Sequence, residues 1–461
     1  MIGMRLLTDI TPLRENPAFR RLWFGTMLSR TGSAMTTFAV TLQVYDMTSS
    51  TAAVGGIAVA TLIPMVLIAL PGGSLADRFD RRRLVLAMTV LAAAVSALLF
   101  AYAALRVAWV WPLYGLVAVE SAVSAVTGPA RTTFIPRLVR PEQRASAMAL
   151  NRIIFQVVLI VGPALAGVIA AGIGVKGCYL VDTVSFAGAL WGVGRLPAMP
   201  PQSAGPRTQS GFALTLEGLA FIGRSRVLAG AFLADVNATF FGLPTSLFPA
   251  INAERFGGDP RTLGLFGTAI GVGGLVSAVF AGPLRHISRQ GLGMLSCVAV
   301  WGAAFALFAV APSLWLTLLA LGMAGLADTF TVVLRGMIVQ AATPEEFRGR
   351  VSAADYLVGA GGGELGSLEA GLVGSLATPV ISALSGGLLT VAGAIVIGAA
   401  LPGFRRYRAP EPEAAEVDAG AADALAADSA EPGAYEPDRA ASGPVLDTEP
   451  EPAGQARDTG S

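Results

Sequence analysis

Twelve runs of roughly twenty predominantly apolar residues, each closed by a short polar break, leave this chain few ways to fold. A helix needs about 20 apolar residues to cross roughly 30 Å of hydrocarbon. In lipid the backbone must satisfy its own hydrogen bonds, so runs of this length read as transmembrane helices. The expected spans are 20–46, 52–74, 83–105, 109–130, 146–172, 176–196, 227–251, 263–284, 291–311, 314–339, 352–377 and 380–403. Glycine is dense after 352, and Pro379 is the only clear break between the last two. Charged residues are 14% of the chain, against about 25% in soluble domains, which agrees with a membrane protein. The 55 glycines suit helices that approach closely where water supplies no driving force. The first run, Leu22 to Tyr45, is too long for a signal peptide and lacks a small-residue cleavage site, so it is expected to stay as a span. Cys178 and Cys297 lie in apolar runs and fit no metal spacing.

An even number of spans puts both termini on one side, and basic loops tell which side that is. The face holding the N-terminus collects 23 arginines, among them Arg78, Arg81, Arg82, Arg131, Arg144 and Arg348. The opposite face has Arg106, Lys176, Arg255 and Arg261. Both termini are therefore expected in the cytoplasm of a cell whose inner membrane the chain crosses. The longest break opens with "PAMPPQSAGPRTQSG", a linker composition, and divides the spans six and six. The halves echo each other: "RTTFIPRLVRPEQR" leaves the fourth span as "RGMIVQAATPEEFR" leaves the tenth. The expected organisation is an N-terminal segment 1–19, a bundle 20–196, a linker 197–226, a second bundle 227–404 and a tail 405–461. From Ala409 the tail carries 13 acids against Arg439 and Arg457, a composition that cannot build a core.

Between the second and third spans the chain reads "GGSLADRFDRRR". A positive-inside anchor explains its arginines but not its acid. Gly73, Asp77, Arg78, Arg81 and Arg82 resemble the loop motif of the major facilitator superfamily, G-x-x-x-D-R-x-G-R-R, with Asp80 where that pattern most often has glycine. An aspartate at a helix end can accept backbone amides and pair with an arginine, a latch that holds two spans in one state and releases them in another. The matching turn of the second half, "GPLRHISRQG", keeps Gly282 and has His286, the chain's one histidine, in the acid's place; a solvated loop histidine is favoured there over a proton switch. In the fifth span Gly162, Pro163 and Gly167 resemble the end of the superfamily's antiporter motif, associated with exporters, although a proline kink among small residues would read the same way.

The resemblance extends over nearly the whole span-bearing region. "NPAFRRLWFGTMLSRTGS", "PARTTFIPRLVRPEQRASAMALN" and "TPEEFRGRVSA" are similar to the branch that includes the enterobactin exporter and macrolide efflux proteins. It implies an all-α membrane protein of twelve transmembrane helices in two six-helix bundles. It also implies efflux of a bulky organic molecule driven by proton entry.

Ionisable groups near the bilayer centre are costly and by default face a cavity or a partner. Arg30, Glu120, Asp328 and Glu364 lie near the middle of their expected spans, and Asp235, beside Asn237, in the cytoplasmic half of the seventh. The resemblance implies that the first, fourth, seventh and tenth spans line the central cavity, and Arg30, Glu120, Asp235 and Asp328 fall one on each. Glu120, in the apolar "LVAVESAVSA", is the favoured proton carrier, with Asp235 and Asp328 as alternatives. A standing pair of Glu120 with Arg30 or Arg152 is the structural alternative. Arg30, Glu120, Asn237, Asp328 and Glu364 are the expected substrate-cavity residues, with Arg30 holding an acid's charge or an anionic substrate group. Asp182, Asp46, Glu369 and Asp355 lie off-centre, where partial solvation favours packing or capping. Trp23, Trp109, Trp111, Trp191 and Trp315 read as interfacial anchors.

The expected function is proton-coupled export of an amphipathic small molecule, such as a drug, natural product or siderophore, by a carrier working as a monomer. Uptake of a nutrient or lipid-like solute is the alternative. The expected partners are the substrate, protons and the lipid bilayer, with no cofactor, metal or nucleic acid. A membrane enzyme finds no support, since the chain has neither a P-loop with Lys-Ser/Thr nor a His-Glu-x-x-His pattern.

Overall fold

The computed structural model of the protein describes residues 9–199, 211–280, 282 and 287–408, with the backbone alone at 69–78, 211–214 and 360. His286, the tail from Ala409, and the side chains of Gly73, Asp77 and Arg78 lie outside what is described.

Helices of membrane length follow the apolar runs closely. The first six spans are Pro17–Thr48, Thr51–Arg78, Arg81–Ala104, Trp111–Thr132, Arg144–Ile173 and Val175–Gly194. The eighth to twelfth are Pro260–Val279, Gln290–Val310, Leu314–Ala342, Arg348–Leu376 and Pro379–Ala400. Among the described residues nine spans are apolar enough to cross a membrane on composition alone. The first, sixth and eleventh have the length but carry more polar groups, including Arg30, Asp182 and Glu364.

The seventh span departs from the single helix expected over 227–251. It is two helices, Arg226–Phe241 and Phe248–Phe256, separated by "GLP" and a 3₁₀ turn. Pro244 has no amide hydrogen and cannot continue the preceding helix. The break is tied to neighbouring spans by side-chain hydrogen bonds, including one to a backbone carbonyl at the break. Trp301 Nε1 donates to the Gly242 carbonyl at 2.6 Å, and Ser246 Oγ donates to the Ser367 carbonyl at 2.7 Å. A second departure lies in the linker, where Gly211–Arg224 is a helix laid along the eleventh span. Glu217 pairs with Arg350 at 3.2 Å, and the Phe221 and Phe347 rings stack at 4.4 Å.

Within each half the spans pack as a bundle: the first on the sixth, the third on the sixth and the second on the fourth; likewise the ninth on the twelfth and the eighth and ninth on the tenth. The halves meet along two seams, second against eleventh and fifth against eighth. Among the described residues, both seams include close approaches toward the face opposite the chain termini. Thr51 Oγ1 donates to the Gly371 carbonyl at 2.9 Å, and a Cβ on Gly371 would stand 3.0 Å from the Gly55 Cα. On the other seam a Cβ on Gly167 would meet the Pro260 carbonyl oxygen at 2.7 Å, and one on Gly264 the Pro163 carbonyl oxygen at 2.6 Å.

The loop between the second and third spans shows what Asp80 does in place of glycine. Its side chain caps the third span, Oδ1 accepting the Arg83 amide at 2.9 Å, while Oδ2 accepts the amide of Met199 at 2.9 Å. Arg82 donates to the Gly194 carbonyl. This turn is thus tied to the end of the sixth span.

Asp182 corrects the expectation of partial solvation. It is completely buried among the first, third and sixth spans. Its carboxylate accepts from Ser96 Oγ at 2.5 Å and Thr36 Oγ1 at 2.7 Å, with Ser185 and Ser33 at 3.4 and 3.5 Å. Removing this acceptor strands buried hydroxyls, at about 1–3 kcal/mol for an unsatisfied group. Asp182→Ala is expected to lower thermal stability in detergent by that order, with Asp182→Asn, which keeps one acceptor oxygen, clearly milder. Equal unfolding temperatures for the two variants would refute the assignment.

Candidate functional site

Each bundle carries one charged cluster toward the face that holds the termini. In the C-terminal half its centre is Arg335 on the tenth span. The guanidinium forms a hydrogen-bonded ion pair with Asp235 of the seventh span and lies 3.5 Å from Asp355 of the eleventh. Asp235 is buried and the Arg335 side chain only 11% exposed, so the two charges depend on each other for compensation. Asp328, two turns earlier on the tenth span, is within electrostatic reach of Asp235, Arg335 and Arg152. Arg335 and Asp355 were not among the candidate residues. The signal for them was present: Arg335 opens the repeated stretch that answers Arg131, and Asp355 follows it on the next span.

In the N-terminal half a small cavity of about 60 Å³ opens between the first, fourth and fifth spans. Its polar lining is Thr26, Arg30, Arg131, Thr132 and Asn151, and Trp23 forms part of its wall. Arg30 and Arg131 are close enough to feel each other's charge. Trp23 is therefore more than the interfacial anchor expected, because its Nε1 donates to the Leu150 carbonyl at 3.0 Å and orients the ring on the cavity. Trp111 and Trp315, 65% and 83% exposed, do occupy span ends as such anchors should.

The central acids are placed differently from one another. Glu120, Asp328 and Glu364 are half-buried on the fourth, tenth and eleventh spans, and among the described residues none makes a hydrogen bond or ion pair. Glu120 thus forms no pair with Arg30 or Arg152; Arg152 instead stands over the Phe155 ring, 5.3 Å from its centre. Asn237 donates to the Thr390 carbonyl at 2.9 Å, a contact with the twelfth span inside its own bundle. Gly162, Pro163 and Gly167 are brought together as packing surface. Gly162 faces Ala34 of the first span, and Pro163 and Gly167 face Gly264 and Gly267 of the eighth. No group of acids, histidines and cysteines able to hold a metal ion occurs among the described residues.

Comparison with known proteins places this architecture. The family of transmembrane secretion effectors, a branch of the major facilitator superfamily, matches residues 7–423. The enterobactin exporter EntS of Citrobacter koseri is 27% identical over 410 residues, covering 88% of this chain and 97% of that protein. EntS of Shigella boydii is 26% identical over 416 residues, covering 89% and 98%. Among solved structures, the nucleoside transporter NupG superposes with a TM-score of 0.68 at 14% identity, over 85% of this chain and 100% of that one. A bacterial homologue of the iron transporter ferroportin does so with a TM-score of 0.61 at 16% identity, over 85% and 99%. Twelve spans in two bundles, the family match along nearly the whole chain and the two charged clusters have one reading: the chain belongs to the transmembrane secretion effectors of the major facilitator superfamily, multi-pass secondary transporters of small molecules and not enzymes.

Proposed function

We propose that this protein exports an amphipathic small molecule across the cytoplasmic membrane in exchange for protons, with both termini in the cytoplasm. One observation supports the coupling most directly. Glu120, Asp328 and Glu364 lie half-buried in the membrane-spanning core with no hydrogen-bond or ion-pair partner among the described residues. A carboxyl group without a fixed counter-charge can be either anion or neutral acid, and so can carry a proton as its surroundings change. Asp235 differs, since Arg335 is fixed against it as an ion-pair partner. Glu120 is the main carrier in this reading, Asp328 the second, and Asp235 their electrostatic neighbour.

The direction rests on the relatives named as exporters, and the orientation on the positive face that holds the termini. The conformation fits loading from that side. The seams between the bundles are tight toward the opposite face, and the arginine-lined cavity lies toward the termini. Alternating access then consists of rocking the two bundles about the seams.

Proteoliposomes containing the purified carrier test this. With a fluorescent amphipathic dye, flux is expected to follow an imposed proton gradient, and Glu120→Gln to reduce that gradient-driven component at least tenfold while leaving dye binding in place. Unchanged gradient dependence in the Glu120→Gln, Asp328→Asn double variant refutes the coupling. In cells, a rise in dye accumulation on expression refutes export and favours uptake.

A further inference from the structure

The two halves are copies, and comparing them cluster by cluster exposes a charge that one half leaves open. Asp235 lies ten residues past Ser225, whose Oγ accepts the Leu228 amide and caps its helix. Thr26 lies ten residues past Asn16, whose Oδ1 caps the first span in the same way by accepting the Phe19 amide. Asp355 and Asn151 each stand seven residues past the arginine, Arg348 or Arg144, that opens the eleventh or fifth span. Arg335 and Arg131 each precede that arginine by thirteen. The acids that hold Arg335 are thus matched by a threonine and an asparagine around Arg131.

The correspondence is not only in the numbering. Thr26, Arg131 and Asn151 line one cavity, as their counterparts form one ion cluster. None of the residues lining that cavity is acidic, and Arg30, one helical turn beyond Thr26, adds a second positive charge. Among the described residues, the buried Nε of Arg131 has no hydrogen-bond acceptor; the one side-chain contact is from its Nη2 to Thr89 Oγ1 at 3.4 Å. Two guanidinium groups sharing a cavity without a carboxylate repel each other, and an anion placed between them relieves the repulsion and supplies the missing acceptors.

We infer that the cavity between Arg30 and Arg131 is the subsite for an anionic group of the transported molecule, a carboxylate, sulfonate or phosphate attached to an aromatic or apolar body. The threonine and asparagine hydrogen-bond the anion, as Asp235 and Asp355 hold Arg335 in the other half. The cavity itself has room for the anionic group alone, and the Trp23 ring in its wall stands beside the attached body. The C-terminal cluster is the same construction with its own acids in the ligand's place. Where the C-terminal arginine is held by acids of the chain itself, the N-terminal one is completed by cargo.

This rests on the transport reading, but its test needs no proton gradient, so either can fail alone. Full-length protein in phosphatidylcholine nanodiscs is titrated calorimetrically with 1-naphthoate and with 1-naphthamide, which share an aromatic body and differ in charge. Naphthoate is expected to bind about tenfold tighter, the scale of one charge-assisted hydrogen bond. Arg30→Gln and Arg131→Gln should each remove that preference and leave naphthamide unchanged, while Arg131→Lys keeps part of it. The Thr26→Asp, Asn151→Asp variant, which rebuilds the C-terminal cluster without removing an arginine, should lose naphthoate binding and gain thermal stability. Equal affinity of the wild-type protein for the two probes overturns the proposal, as does naphthoate binding that survives in Arg131→Gln. Loss of naphthoate binding when the discs contain phosphatidylglycerol assigns the cavity to a lipid headgroup and also overturns it.

Discussion

Replacing Arg335 with leucine is expected to lower the stability of the protein by about 3–5 kcal/mol, the cost of leaving a buried ion unpaired. Asp235 is buried, its carboxylate is held by Arg335, and Asp355 lies 3.5 Å from the same guanidinium. Without that cation two carboxylates face each other across the seventh and eleventh spans. The loss comes from uncompensated charge and not from lost packing, so it should be reversible by removing the charges. The Asp235→Asn, Arg335→Leu, Asp355→Asn variant is expected to recover most of the unfolding temperature, as neutral replacements of buried ion clusters often do. A triple variant as unstable as Arg335→Leu alone would show that the arginine acts through its shape. The single variant should also change the pH dependence of transport, because Asp328 is within reach of the same cluster.

Gly167→Leu is expected to reduce transport at least tenfold with the bundles still folded. A Cβ at Gly167 would stand 2.7 Å from the Pro260 carbonyl oxygen and 3.1 Å from the Gly264 Cα, so the fifth and eighth spans cannot keep their approach. Overpacking of this kind costs about 1–3 kcal/mol. It is paid only in the state where this seam is closed. The population of that state should therefore fall roughly 5–150-fold relative to one in which the seam opens. Cysteine labelling from the face opposite the termini measures this. A reporter near Thr268, whose hydroxyl donates across the seam to the Ile160 carbonyl at 3.2 Å, should react faster in the variant. Wild-type labelling and wild-type flux together would show that the seam does not separate in the transport cycle.

The stretch Gly162 to Gly167 illustrates how far a motif can be read. In one dimension it was an exporter signature or a proline kink. In three dimensions its glycine and proline make the close contact between bundles, whatever direction the cargo moves. Arg30 and Glu120 show the converse. Both were legible as costly charges at membrane depth, yet their partners were not. Arg30 shares a cavity with Arg131 and not with an acid, and Glu120 stands unpaired. Asp182, off-centre in its span, is the most completely buried acid among the described residues because Thr36 and Ser96 reach it from other spans.

Span number and limits, and the match between the two halves, were open to reading in one dimension because lipid imposes them locally. Each helix must carry its own apolar length and close its own backbone hydrogen bonds, whatever its neighbours do. The break at Pro244 and the cap at Asp80 were equally local in cause, though their partners Trp301, Ser367 and Met199 were not. Which charges meet was decided by packing alone. Asp235, Arg335 and Asp355 lie on three different spans, as do Thr26, Arg131 and Asn151, and a pair's energy depends on distances of a few ångströms that no local pattern records. Tertiary structure therefore surrounded the arginine of one cluster with the chain's own acids and left the other an open positive cavity.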